Sequence, residues 1–202
     1  MADTNTIAVQ KLYVAYFGRP ADPGGLQYWT NALANNPNAL MEMSRQFGIS
    51  NEYRDTYAGM NNRALVNEVY DNLFGRQGDT AGLNYWTDLM DRGVITIDAV
   101  VNDMSKAAAG NTDGVIFAGK ANAAAVFTQR LDLPNEIAAY QGTAAIKTAV
   151  DFVATVKDLQ SASLAQDQGY VDSWIERMVT GGTGMEDVTL VGSPTGFEPP
   201  LF

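Results

Sequence analysis

The chain has 202 residues, with 13 Lys and Arg, 23 Asp and Glu, and neither cysteine nor histidine. These counts exclude disulfide frameworks, Cys/His zinc sites, cysteine proteases and Ser-His-Asp triads, and they leave haem and iron–sulfur clusters without their usual ligands. The net charge of −10 argues against nucleic-acid binding, which needs basic side chains to neutralise phosphates. Because 46% of the residues are hydrophobic and no apolar run approaches about 20 residues, we expect a globular protein without a transmembrane segment.

The N-terminal segment, Met1 to Thr6, has no basic group and no long apolar run, so no secretory signal peptide is expected there. This pattern predicts a cytoplasmic protein, or export by a route that reads a C-terminal signal. The charge is uneven along the chain. Residues 1–130 hold thirteen acidic and ten basic side chains, whereas residues 131–202 hold ten acidic and three basic. The change falls near Pro134, which disfavours a continuous helix.

An internal repeat with an offset of 57 residues dominates the first half of the chain. Residues 9–33 align with residues 66–90 without a gap, and eleven of the 25 positions are identical. Two tryptophans in the same register make a chance match implausible. The identical pairs are Val9/Val66, Tyr13/Tyr70, Phe17/Phe74, Gly18/Gly75, Arg19/Arg76, Asp22/Asp79, Gly25/Gly82, Leu26/Leu83, Tyr28/Tyr85, Trp29/Trp86 and Thr30/Thr87.

Each copy predicts a helix–turn–helix. In the first copy, apolar residues from Val9 to Phe17 follow helical spacing, and Gly18 is a typical C-cap residue. Asp22 is a natural N-cap for a second helix that begins at Pro23. Further helices are predicted at residues 37–47, 51–57, 96–109, 113–129, 144–156 and 163–179.

The sequence therefore predicts an all-α fold, a multi-helix bundle built from two helix–turn–helix repeats plus further helices. Residues 1–130 would form a tandem-repeat helical domain, and residues 131–180 an acidic helical extension packed on it. From about residue 181 onward, glycine and proline predict a flexible tail or linker with an irregular structure.

Four side chains recur in each copy and could contact a ligand. The Asp could equally cap a helix, with the Arg paired to it or holding backbone carbonyls. The Trp shares a helical face with leucines, which also suits a core position, whereas the Tyr points about 100° away from it. The candidate ligand-binding residues are Arg19, Asp22, Tyr28, Trp29, Arg76, Asp79, Tyr85 and Trp86.

No carboxylate spacing, phosphate loop or EF-hand loop predicts catalysis, so we expect a protein that is not an enzyme.

Both repeat segments, Leu12–Trp29 and Val69–Trp86, contain an aromatic helix end, Gly-Arg, a spaced Asp, Gly-Leu and Tyr-Trp. With this pattern, residues 5 to about 130 resemble the bacterial domain of unknown function DUF4214. The resemblance implies a large secreted protein of Gram-negative bacteria, such as an S-layer or calcium-binding repeat-in-toxin protein, exported by type I secretion without an N-terminal signal. Residues 181–188 are similar to a degenerate single calcium-repeat motif, with Glu186 where Asp is expected, so calcium is the candidate cofactor.

Two functions remain as hypotheses. The first is a non-catalytic module that anchors a secreted protein to the bacterial cell surface by binding lipopolysaccharide or another surface polysaccharide, in polar grooves between the two repeats. The second is a protein–protein scaffold or self-assembly domain of a surface lattice, in which apolar faces of the later helices pair with another subunit.

Overall fold

A computed structural model of the protein describes residues 2–181. Helices and their connections account for these residues, which include no β-strand, so the all-α prediction is confirmed. None of these helices is long and apolar enough to cross a bilayer. The twelve helices are α1 (Thr4–Phe17), α2 (Pro23–Asn35), α3 (Ala39–Gly48), α4 (Asn51–Thr56), α5 (Asn62–Phe74), α6 (Thr80–Asp91), α7 (Ile97–Ala107), α8 (Thr112–Arg130), α9 (Pro134–Ala139), α10 (Thr143–Ala154), α11 (Leu159–Leu164) and α12 (Gln168–Gly181).

The turns of the two repeats form as the local sequence predicts. Gly18 and Gly75 end α1 and α5 in the left-handed region, with φ of 64° and 65°. Asp22 and Asp79 cap α2 and α6, because a carboxylate oxygen of each accepts a hydrogen bond from the N–H three residues on, at 2.7 and 2.9 Å. Identical residues in the two copies therefore produce the same change of direction between their helices.

The repeat in space is a four-helix unit, longer than the segment that aligns in sequence. Helices α1–α4 form one unit and α5–α8 the other, and in both units the first helix packs against each of the other three. The units meet where α1 packs on α5, where α3 packs on α7 and, most extensively, where α8 of the second unit packs on α1 of the first.

Helix α8 is the element around which the two halves of the chain pack. It contacts α1 and α5 on the repeat side and α10, α11 and α12 on the other. Its small side chains Ala121, Ala123 and Ala124 are completely buried, which allows neighbouring helices to approach closely. The helices that follow residue 131 thereby share a core with the repeats.

The second half differs from the sequence prediction in two places. The single helix predicted over residues 163–179 is two helices, α11 and α12, separated at Ala165–Asp167. The Asp167 carboxylate accepts a hydrogen bond from the N–H of Tyr170 at 3.0 Å and so starts a new helix. Helix α9 was not predicted; Pro134 occupies its first turn, where a missing N–H costs nothing. The predicted tail and most of the calcium-like motif lie outside the described residues.

Candidate functional site

The arginine of the first repeat is held inside the protein. Arg19 is completely buried and binds both carboxylate oxygens of Glu52, with Nε–Oε1 and Nη2–Oε2 distances of 2.6 and 2.8 Å. Its Nη1 donates to the carbonyl oxygen of Pro20 at 2.9 Å. Burial alone would lower the pKa of Arg19, but the charge of Glu52 raises it well above its ordinary value. The buried guanidinium of Arg19 therefore stays charged.

The second repeat forms the same arrangement at the surface: an arginine that binds both oxygens of a carboxylate and one backbone carbonyl. We call this arrangement the clasp. Arg76 binds Asp113 with Nε–Oδ1 and Nη2–Oδ2 distances of 3.0 and 2.6 Å, and its Nη1 donates to the carbonyl of Gln77 at 3.1 Å. The hydrogen bonds to Asp113 raise the pKa of Arg76. The side chain of Arg76 is 43% exposed, so solvent reaches this clasp but not the first one.

The sequence analysis did not identify the acidic partners of Arg19 and Arg76. It also did not show that these two acids occupy equivalent positions in the two units. Glu52 and Asp113 each stand two residues after the N-cap of the helix that closes their unit, Ser50 for α4 and Asn111 for α8. They are 61 residues apart and not 57, because α7 starts one residue late and is one residue longer than α3, and the connection after it is two residues longer. A search for a capping residue followed by an acid, allowing a small insertion, could have found them. Of the two alternatives for Arg19, pairing with Asp22 or holding a backbone carbonyl, the structure shows a bond to the carbonyl of Pro20, and the carboxylate that pairs with Arg19 is that of Glu52.

A close approach between tyrosine and glycine fixes the angle between the first two helices of each unit. A Cβ atom on Gly25 would overlap the hydroxyl of Tyr13, and one on Gly82 would overlap that of Tyr70. Burial raises the pKa of both tyrosine hydroxyls, so each stays protonated at neutral pH. The glycines conserved between the copies therefore leave room for a polar group.

The two copies of the predicted ligand-binding set lie in different environments. In the first copy Arg19, Asp22 and Trp29 are buried, with Trp29 only 4% exposed in the core, and Tyr28 is 38% exposed. In the second copy Arg76 and Asp79 are exposed, Trp86 is half-buried and Tyr85 is 59% exposed. In each copy the Tyr and Trp rings contact each other, and the side chains of the second set are more exposed than those of the first.

A groove of about 550 Å³ runs between the two repeat units. Helices α1, α3, α7 and α8 form its walls. Its apolar side chains include Leu12, Leu40, Val101 and Phe117, and Lys11 lies over the Phe117 ring at 5.5 Å. The hydrogen-bonding side chains in this inter-repeat groove are Lys11, Asn38, Ser44, Asp98, Asn102, Ser105 and Lys106.

A second groove of about 670 Å³ adjoins it along α1. Ala8 and Lys11 line both grooves, so the two lie side by side on this helix, and we call them together the path. The second groove, which we call the amide groove, lies among α1, α8 and the connection between α11 and α12. Its polar side chains are Thr4, Lys11, Asn122, Gln129, Gln166 and Gln168. Sequence reasoning placed polar grooves between the repeats but did not identify these residues.

Lys120 is a buried cation outside both grooves. It is 2% exposed, and its Nζ donates to the carbonyl oxygen of Asp71 near the C-terminal end of α5 at 2.8 Å. Burial lowers its pKa from 10.5 to about 8, because no carboxylate forms an ion pair with it in the described part of the chain. Residues 2–181 also contain no cluster of three acidic side chains placed to hold a metal ion.

The fold and the clasps define an all-helical protein with a duplicated four-helix unit. The sequence profile of a family described as "Domain of unknown function (DUF4214)" matches residues 44–111. The matched segment runs from within α3 to the N-cap of α8 and contains residues 66–90, the part of the second copy that aligns with the first. The first copy lies before the matched segment and is linked to it by the internal repeat. No curated protein and no solved structure matches the chain.

Proposed function

We propose that the protein is a non-catalytic module that anchors a secreted bacterial protein to the cell surface by binding lipopolysaccharide or another surface polysaccharide. The observation that carries this proposal is the path made by the inter-repeat groove and the amide groove, which meet at Lys11. A path along which successive units can lie suits a polymer better than a small molecule.

The chemistry of the path supports a saccharide ligand. Amide side chains such as Asn102 and Gln129 offer both donors and acceptors, and a sugar hydroxyl uses both. The apolar wall around Leu12 and Phe117 can cover the C–H faces of a sugar ring. Lys11, at the junction, and Lys106 supply positive charge for the phosphate or carboxylate groups of an anionic polysaccharide.

Calorimetry with polysaccharide purified from the host surface tests the proposal. We expect binding by the wild-type chain and at least tenfold weaker binding by an Asn102→Ala, Gln129→Ala double variant, because each change removes one amide from a different groove. An Asn31→Ala, Gln160→Ala double variant removes two exposed amides outside both grooves and should bind like the wild type. Equal affinities for all three proteins, or no binding by any, would overturn the proposal.

A second candidate function is a protein–protein scaffold or self-assembly domain of a surface lattice. It is favoured by large apolar side chains on the surface, including Met41 and Leu159, each 70% exposed, and Ile49, 63% exposed. Sedimentation analysis across a wide concentration range separates the two functions. Reversible association that Leu159→Ser or Met41→Ser reduces would favour the scaffold, and a strictly monomeric protein would count against it.

A further inference from the structure

The first repeat encloses its arginine with a ring supplied from outside the repeat. The guanidinium carbon of Arg19 lies 5.1 Å from the ring centre of Tyr13 and 5.4 Å from that of Phe17, both on α1. A third ring, of Tyr140 at the end of α9, lies at 5.8 Å. The Tyr140 hydroxyl donates to the carbonyl oxygen of Pro20 at 2.7 Å, and Tyr140 itself is 1% exposed. We call this arrangement the aromatic cage.

The second repeat has the same cage with one side open. The guanidinium carbon of Arg76 lies 5.4 Å from the ring centre of Tyr70 and 5.8 Å from that of Phe74, which occupy the positions of the two α1 rings. In the described part of the chain no third ring lies over Arg76. The carbonyl of Gln77, equivalent to the one that accepts the Tyr140 hydroxyl, receives a hydrogen bond only from Arg76 among those residues.

We propose that the open cage around Arg76 is a docking site for a tyrosine side chain of a partner protein. The tyrosine ring would lie over the free face of the guanidinium, and its hydroxyl would donate to the carbonyl of Gln77. This is the arrangement that Tyr140 adopts in the first repeat, so the chain itself supplies the template for the occupant.

The hydrogen bonds and the ion pair of Arg76 favour an uncharged aromatic side chain as the ligand, rather than an anion or a sugar. Three of the five N–H groups of Arg76, one on each nitrogen, already donate hydrogen bonds to Asp113 or to Gln77. Asp113 also neutralises its charge, which removes the attraction for phosphate. The Arg76 side chain is 43% exposed, and the flat face of a guanidinium attracts the face of an aromatic ring. Tyrosine is also a residue that commonly contributes much of the binding energy at protein interfaces.

The test is an NMR titration of the full chain with N-acetyl-tyrosinamide, observing the Nε–H signals of Arg76 and Arg19. We expect a saturable shift at Arg76 with a millimolar dissociation constant, and none at Arg19, whose cage is closed. N-acetyl-phenylalaninamide, which lacks the hydroxyl, should bind at least threefold more weakly. The docking site does not depend on the polysaccharide proposal, because Arg76 lines neither groove.

Two variants complete the test. Tyr140→Ala opens the first cage, so the Arg19 signal should then respond to N-acetyl-tyrosinamide; if this variant does not fold, the wild-type titration still decides. Arg76→Gln should lose the saturable response of Tyr70 and Phe74 ring signals. The proposal is overturned if Arg76 does not respond to N-acetyl-tyrosinamide, if the phenylalanine analogue binds equally well, or if only the host polysaccharide shifts the Arg76 signal.

Discussion

At the scale of single residues, the two clasps have the same hydrogen bonds in different surroundings. Arg19 and Glu52 are shielded from water, whereas the Arg76 and Asp113 side chains are 43% and 24% exposed. Removing one partner of a buried ion pair leaves an uncompensated charge, while an exposed charge is solvated. The repeat therefore provides a matched pair of sites for measuring what burial does to one interaction.

Glu52→Ala should lower the free energy of unfolding by about 3–5 kcal/mol. Asp113→Ala, the equivalent change in the second clasp, should lower it by less than about 1 kcal/mol. Urea denaturation of both variants at neutral pH checks the difference. Similar losses in the two variants would mean that the buried pair contributes no more than the exposed one.

The glycine beneath the Tyr13 hydroxyl gives a second prediction. Gly25→Ala should destabilise the protein by about 1–3 kcal/mol, because the new methyl group displaces Tyr13 or shifts α2. Tyr13→Phe removes the oxygen in question, so the double variant should recover part of that loss. Thermal unfolding of the two single variants and the double variant measures the coupling. Strict additivity would show that the hydroxyl is not the obstacle.

Buried Lys120 makes stability rise with alkaline pH. Its pKa is about 8 in the folded chain and 10.5 ordinarily, so between these values the unfolded chain binds the proton that the folded chain releases. The free energy of unfolding should therefore increase from pH 8 towards pH 10, by up to about 3 kcal/mol. Above pH 10 it should fall, because burial raises the pKa of tyrosines such as Tyr13 and Tyr57 and only the unfolded chain ionises them.

Chemical denaturation at pH 7, 8, 9 and 9.8 measures the effect of Lys120. Lys120→Met should remove the rise, whereas Lys147→Met, which alters an exposed lysine on α10, should preserve it. If the free energy of unfolding of the Lys120→Met variant rises with pH as much as that of the wild type, groups other than Lys120 cause the rise.

At the scale of helices, the helix ends and turns could be predicted from neighbouring residues, but the distant residues that contact Arg19 could not. Gly18 and Asp22 act within three or four residues of themselves, so the α1–α2 turn could be predicted from the sequence. The partner of Arg19 lies 33 residues away, and Tyr140 lies 121 residues away, so only the packed fold identifies them. The prediction of one continuous helix over residues 163–179 was wrong, because the apolar residues keep helical spacing on both sides of the Asp167 cap and so hide the break.

The later helices complete the core of the repeats, which leads to a prediction about truncation. A chain ending at residue 131 would lose Tyr140 from the cage of Arg19 and would expose the face of α8 that packs on α10, α11 and α12. We expect a lower melting temperature and binding of a hydrophobic dye compared with the full chain. A truncated chain with unchanged melting temperature and no dye binding would show that residues 1–131 fold independently.

At the scale of the whole molecule, duplication gives one closed copy and one open copy of the same motif. The sequence could predict the duplication, because identity at fixed spacing needs no tertiary information; that the eight recurring side chains bind a ligand stays a prediction. It could not predict that Arg19 and Trp29 would be buried while Arg76 and Tyr85 would be exposed. Tyr140 lies over Arg19 and Phe47 packs against Trp29, and both come from distant parts of the chain. The grooves likewise arise from the packing of α1, α3 and α7, which no local pattern specifies.

The central claim is that a surface polysaccharide lies along the path on which the two grooves meet at Lys11. A crystal structure of the full chain with oligosaccharides from the host surface polysaccharide tests it most directly. We predict ordered sugar between α3 and α7, with hydroxyls bonded to side chains such as Asn102 and with contact to Lys11. Empty grooves at saturating oligosaccharide, or sugar bound only elsewhere, would contradict the account.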